Sequence, residues 1–221
     1  MEKIDLRAVF EKNGRAVFIS HLDLFRTMQR ALKRSDIPVW YSQGFNPHIY
    51  LNFPLALSLG VASRTEFMDF SVTENVDFDE AKNRLNSVMP EGIKILGIAG
   101  PVFENKDIGF AEYEMRFCSS EEPQRILDGL DKMMSMEVIE IDKRSKSKGT
   151  VKMDIRPHIC ILGTDISGEY LNVCVRLPAG GTLNINSNVF ADVLADISGV
   201  TFNNVYAERT KILCKSGENF M

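Results

Sequence analysis

His21, Tyr41 and His48 are side chains that could together move a proton on a ribose hydroxyl. Ser20 reads as a helix N-cap with Asp23 three residues on, so His21 opens the helix. There the positive end of the helix dipole favours a neutral imidazole and welcomes an anion. A neutral His21 could act as general base, with Tyr41 or His48 as partner and Lys33 or Arg34 stabilising phosphate charge. That set is chemically sufficient for metal-free RNA cleavage. A histidine beside a cap is also a common structural hydrogen-bonding residue, and spacing alone fixes no acid partner for it.

The same helix carries Arg26, Arg30, Lys33 and Arg34 at i, i+4, i+7 and i+8. Leu22, Phe25, Met28/Gln29 and Leu32, joined by Leu24 and Ala31, form the opposing apolar stripe. At a spacing of four the nearby acid, Asp23, lies opposite Thr27, so the four cations are expected to be unneutralised and open to a polyanion; a solvated face is the plainer reading. Ser35-Asp36-Ile37-Pro38 ends the helix, because a residue before proline leaves the helical region. The turn chemistry of Tyr41-Ser42-Gln43-Gly44-Phe45-Asn46-Pro47-His48 then places Tyr41, Asn46 and His48 near the surface.

Two further segments are candidates. Lys143-Arg144-Ser145-Lys146-Ser147-Lys148-Gly149 is the densest basic run, and as a hairpin tip its Lys146 and Lys148 would track phosphates or simply solubilise the loop. In Asp154-Ile155-Arg156-Pro157, Arg156 offers a rigid fork for an anion, against the structural alternative of pairing with Asp154 on one strand face. His158 and Cys160 would share a face of one strand, but no other ligand-type residue has suitable spacing, so no metal is expected. The cysteines lack the closely spaced triplet of an iron–sulfur site, and no cofactor is expected.

ISHLDLFRTMQRALKRSDIPVWYSQGFNPH resembles the signature of the radical-SAM-linked protein family, a bacterial domain of unassigned function encoded beside or fused to a radical SAM protein, and Asp154-Ile155-Arg156-Pro157 is similar to its later Asp-x-Arg-Pro element. The resemblance covers nearly the whole chain. It implies a radical SAM protein as partner and an accessory role, in which this chain binds RNA, tRNA or rRNA, for modification by that enzyme. The phosphate-binding candidates are then Arg26, Arg30, Lys33, Arg34, Tyr41, Asn46, His48, Lys146, Lys148 and Arg156. A metal-independent endoribonuclease using His21, and a scaffold that binds only the radical SAM partner, are the alternatives.

Composition bounds these readings. A chain of 221 residues, 44% hydrophobic and 25% charged, has room for one large or two small cores. Its formal charge of −4 means that polyanion binding must come from local patches. Cysteines at 118, 160, 174 and 214 are too scattered for a C-x-x-C metal site, and their absence from the first 117 residues argues against a disulfide framework, which fits a reduced cytoplasm. No apolar run reaches the ~18 residues of a membrane helix, and MEKIDLR is not a signal peptide.

Strand 4–10, the basic helix, strands near 48–53 and 65–72, a helix opened by Asp77 and strand 93–98 give the order β-α-β-β-α-β. The Gly-, Pro- and charge-rich stretch 99–109 reads as a linker. Beyond it, strand 111–117, helix 121–136, strands 138–142, 150–162 and 170–176, helix 187–197 and strand 201–214 repeat that order. The expected fold is α+β, two tandem ferredoxin-like (βαββαβ) units with antiparallel sheets, over residues 1–100 and 108–221. Such a tandem is also similar to the CRISPR precursor-RNA-processing endoribonucleases, whose glycine-rich loop Leu177-Pro178-Ala179-Gly180-Gly181-Thr182 resembles in position.

Overall fold

In the first strand, β1 (Ile4–Lys12), alternation puts Leu6, Ala8 and Phe10 into the core and Asp5, Arg7 and Val9 on the other face. The computed structural model describes residues 3–145, 149–181 and 183–221. After β1 come α1 (His21–Arg34), β2 (Leu51–Asn52), β3 (Ala62–Val72), α2 (Phe78–Val88) and β4 (Ile93–Ala99). Then follow β5 (Ile108–Ser119), α3 (Pro123–Ser135), β6 (Glu140–Ser145), β7 (Gly149–Asp154), β8 (Cys160–Ser167), β9 (Tyr170–Pro178), α4 (Ser187–Ser198) and β10 (Phe202–Cys214). The fold is mixed α+β, with four helices, a mostly antiparallel main sheet of eight strands and a two-stranded β6–β7 ribbon among the described residues.

The chain forms two compact units, residues 1–109 with 208–221, and residues 110–207. In the first, β1 pairs antiparallel with β3 and β4, and β2 pairs antiparallel with β3. Glu208 and Arg209 of β10 add a short parallel ladder on Ala62 and Ser63. Leu24, Met28, Ala31 and Leu32 of α1 and Ala81 and Leu85 of α2 close over Phe10, Met68 and Phe70. In the second unit the ladder order is β10-β5-β9-β8, with β5–β9 and β8–β9 antiparallel.

Two expectations are corrected here. The strand expected over 150–162 is broken: β7 stops at Asp154, Arg156–His158 form a 3₁₀ turn around Pro157, and β8 starts at Cys160. Pro157 has no N–H to give a ladder, so the second half carries an extra ribbon rather than a bare βαββαβ order. His158 and Cys160 consequently do not share a strand. The stretch read as a free linker is held within the first unit: Val102 and Phe103 donate to the Met221 carbonyl, Arg7 Nη1 to the Phe103 carbonyl, and Lys215 to the Asp107 carbonyl.

Charge is buried in this core. Arg209, 1% exposed, donates from Nε and Nη2 to the two carboxylate oxygens of Glu66 at 2.8 and 2.6 Å, and from Nη1 and Nη2 to the Ala56 and Leu55 carbonyls. Buried Lys12 donates to the Val17 carbonyl at 3.4 Å. Burial pushes its ammonium pKa below the ordinary lysine range, and the neighbouring Arg209 acts the same way against the opposing pull of Glu66. Glu66 thus stands between two cations.

Candidate functional site

The α1 surface is set first by the cap of the helix. Ser20 Oγ accepts the Asp23 N–H at 3.1 Å and donates to the Asp23 carboxylate at 2.7 Å. That hydroxyl, with Arg26 next, holds the Asp23 carboxyl below its usual range. The helix ends where Ser35 donates from its backbone to the Ala31 carbonyl and from its hydroxyl to that of Leu32, and Asp36 takes a left-handed φ of 54°. Between these ends one face is buried at Leu24, Met28, Ala31 and Leu32, so Arg26, Arg30, Lys33 and Arg34 are all turned outward and exposed. Leu22, expected in the apolar stripe, is exposed at the first turn.

The four cations are not equally free. Arg26 pairs with Asp23 at 3.3 Å, an i, i+3 contact that corrects the expectation of an unneutralised stripe; both side chains are more than half exposed, so the pair is worth little. Arg34 Nη2 donates to the Val88 carbonyl at the end of α2, 2.8 Å away. Among the described residues no hydrogen bond or ion pair holds Arg30 or Lys33.

Beyond α1 the chain is tied to the end of β3: Trp40 donates to the Ser71 carbonyl and Thr73 to the Pro38 carbonyl. Tyr41 and Ile49 then form a bridge that starts a closed loop. Ser42 N–H donates to the His48 carbonyl at 2.8 Å, His48 N–H donates to Ser42 Oγ at 3.1 Å, and His48 Nδ1 lies 2.9 Å from that hydroxyl and 3.2 Å from the Asn46 carbonyl. His48 therefore builds the loop. With the loop so closed, Tyr41, Asn46 and His48 are exposed, and Phe45 at its tip is wholly exposed. Phe45 escaped the sequence reading because a lone aromatic between glycine and asparagine gives no periodic signal.

His21 has another environment. Its ring packs edge-on against Phe53, centroids 5.3 Å apart, and Phe53 packs on Phe10 and Phe25. No hydrogen bond joins His21 to Tyr41, His48, Lys33 or Arg34 among the described residues.

The remaining candidates lie in the second unit. Lys146 and Lys148 fall outside the described residues. Arg156 does not pair with the Asp154 carboxylate: its Nε and Nη2 donate to the Met134 carbonyl in the last turn of α3, at 3.2 and 2.5 Å. Asp154 accepts instead from the N–H groups of Ile139 and Arg156, at 2.9 and 3.0 Å, and these two bonds depress its carboxyl pKa. With Ile155 fully buried, the element is a corner brace joining β7, the 3₁₀ turn and α3.

All four cysteines are free thiols, and burial raises the pKa of Cys174 and Cys214. No helix among the described residues is long and apolar enough to cross a membrane.

Comparison with known proteins adds a family. The model described as "Uncharacterized protein conserved in bacteria (DUF2344)" matches residues 5–186. No curated protein matches the chain. Among solved structures, the chain is similar to the "Crystal Structure of an Unknown Protein from Galdieria sulphuraria", at 12% identity over 94% of this chain and 99% of that one, with a TM-score of 0.27.

Proposed function

The chain belongs to the bacterial conserved family of uncharacterized proteins matched over residues 5–186, and on that premise we propose that it is an accessory RNA-binding protein, holding tRNA or rRNA for a partner radical SAM enzyme. The observation that carries the RNA reading is the α1 surface. Arg30 and Lys33 are exposed without partners among the described residues, Arg26 has only an exposed pair, and Leu24, Met28, Ala31 and Leu32 on the other side are buried in the core. Exposed, unpaired cations on a rigid helix can follow a phosphate backbone. The adjacent loop adds flat rings at Tyr41 and Phe45 for base stacking, with Asn46 and His48 as polar neighbours.

The radical SAM partner rests on the resemblance of the Ser20–Leu24 and Gly44–His48 motifs to that linked family. Four free thiols support a reduced cytoplasm. Ladders β4-β1-β3-β2 and β10-β5-β9-β8, each with two helices between strands, support a ferredoxin-like reading of both units, the second with the β6–β7 ribbon inserted.

The test is RNA binding against salt. If Arg26, Arg30 and Lys33 each neutralise one phosphate of a single strand, log K falls with log salt with a slope of roughly −2 from these three contacts. The Arg26→Ala/Arg30→Ala/Lys33→Ala protein should keep its fold and lose that part of the slope. A folded triple variant with an unchanged slope would refute the interface.

A further inference from the structure

The helices of the first unit cover one face of its sheet, and the other face has its own chemistry. Register sets Arg7 opposite Asp69, Asp5 opposite Ser71 and Asn52 opposite Asp69, so these polar side chains share the face away from Leu6, Ala8 and Phe70. Arg7 is already spent: Nε and Nη2 donate to Asp69 at 2.6 and 3.0 Å, Nη1 to the Phe103 carbonyl at 2.9 Å, and its guanidinium lies 4.3 Å from the Phe220 ring centroid. Beside this anchored pair an open cavity of about 350 Å³ remains, lined by Asp5, Asp69, Tyr50, Asn52, Phe103 and Lys106 among others. That volume suits a single base or nucleoside.

The lining selects the ligand. Asp5 accepts from Ser71 Oγ at 2.6 Å and pairs with Lys3 at 2.9 Å, and Lys106 pairs with Glu104 at 2.8 Å. Arg7 is thus engaged, Lys106 carries only an exposed pair, and Asp5, Asp69 and Glu104 oppose an anion. Tyr50 borders the space with the Lys3 ammonium 4.5 Å from its ring centroid. The half-buried Asn52 amide has no hydrogen-bond partner among the described residues. Its carbonyl and amino groups can bind the adjacent acceptor and amine of adenine together, and the carboxylates can take a further N–H.

We propose that this cavity binds a nucleobase carrying an exocyclic amine, adenine being the best match, with Asn52 reading its edge and Tyr50 and Phe103 flanking the ring. The inference rests on the RNA reading in one respect, that the base belongs to a bound strand. The segment from α1 to β2 that carries Tyr41 also carries Tyr50 and Asn52, so basic helix and cavity lie at its two ends.

The experiment titrates the full chain with adenosine, inosine and inorganic phosphate by calorimetry, and in parallel with a single-stranded RNA. Adenosine should bind, inosine at least about tenfold more weakly because it lacks the amine, and phosphate should not compete. Asn52→Ala should weaken adenosine at least about tenfold, and in the wild type adenosine should shift the Asn52 side-chain amide resonances. Equal affinity for adenosine and inosine, or an adenosine affinity unchanged by Asn52→Ala, would overturn the assignment, as would competition by phosphate. RNA binding with a normal salt slope but no adenosine binding removes the cavity proposal and leaves the helix interface standing. Adenosine binding that depends on Asn52, without RNA binding, upholds the cavity and removes the RNA reading.

Discussion

Glu66 is a buried carboxylate that holds two segments of the first unit together. It is buried between Arg209, which it binds through both oxygens, and Lys12, whose ammonium is desolvated. Removing a carboxylate from a buried pair leaves its cation uncompensated, so Glu66→Gln should cost about 3–5 kcal/mol in a urea melt. Lys12→Met should do the opposite, being neutral or stabilising by about 1 kcal/mol, because it removes a desolvated charge and leaves the Glu66–Arg209 pair intact. The sign with pH follows. A lysine whose folded pKa is depressed binds fewer protons folded than unfolded between that pKa and 10.5, so its cost is full below the folded pKa and is relieved as pH rises through that window. A Lys12→Met protein more sensitive to urea than the wild type at neutral pH would contradict this account. His21 is argued at the same scale. Its recorded ring contact is with Phe53, so His21→Ala should cost about 0.5–1.5 kcal/mol of stability and leave the salt slope of RNA binding intact. Metal-free RNA cleavage by the wild type, lost in a well-folded His21→Ala protein, would make the chain an enzyme and refute the accessory role.

At the scale of elements, α1 was legible because two local signals agree: a Ser20 cap and an apolar period that places Leu24, Met28, Ala31 and Leu32 inward. The site's basic face follows from that period by subtraction. β2 was less legible, since the strand expected over 48–53 shrinks to Leu51–Asn52 once His48 is used to close the loop with Ser42. The Asp154 corner was misread for a physical reason too: Pro157 turns the backbone, and Arg156 then finds a helix-end carbonyl instead of the carboxylate. Acid should expose this corner. The Asp154 carboxyl titrates below 3.8 in the folded state, so its contribution is present above that value and is lost as pH falls through the lower folded pKa. Asp154→Asn should therefore flatten the fall of Tm below about pH 4, and an unchanged acid profile would show that the two N–H bonds do not matter. Helix packing gives a sharper prediction. A Cβ at Gly129 of α3 would collide with the backbone and side chain of Ser198 in α4, so Gly129→Ala should cost about 1–3 kcal/mol despite its better helix propensity.

At the scale of the whole molecule, the first unit is discontinuous in sequence, and this was the part no local pattern could disclose. Arg209 meets Glu66 across 143 residues, and Phe220 packs on Phe67 and Phe103 with centroids at 5.2 and 6.3 Å. Periodicity reports which face of a strand is buried, not which distant strand it meets. The consequence is testable by cutting the chain. A fragment of residues 1–109 keeps β1 to β4, α1 and α2, but loses the guanidinium that neutralises Glu66 and the ring that covers Arg7. It would expose Phe67 and leave Glu66 without the guanidinium that pairs with it, and a broken buried pair costs about 3–5 kcal/mol, a large share of a small domain's net stability. The fragment should therefore melt without cooperativity. Joining residues 1–109 to 208–221 through a flexible Gly/Ser linker restores both contacts at a modest loop-closure cost, and that chimera should melt cooperatively and keep the salt-dependent RNA binding of α1. Circular dichroism melts of the two proteins decide it. A cooperative transition of the bare 1–109 fragment at the chimera's Tm would show that the C-terminal residues are dispensable, and that the boundary lies near residue 100 after all.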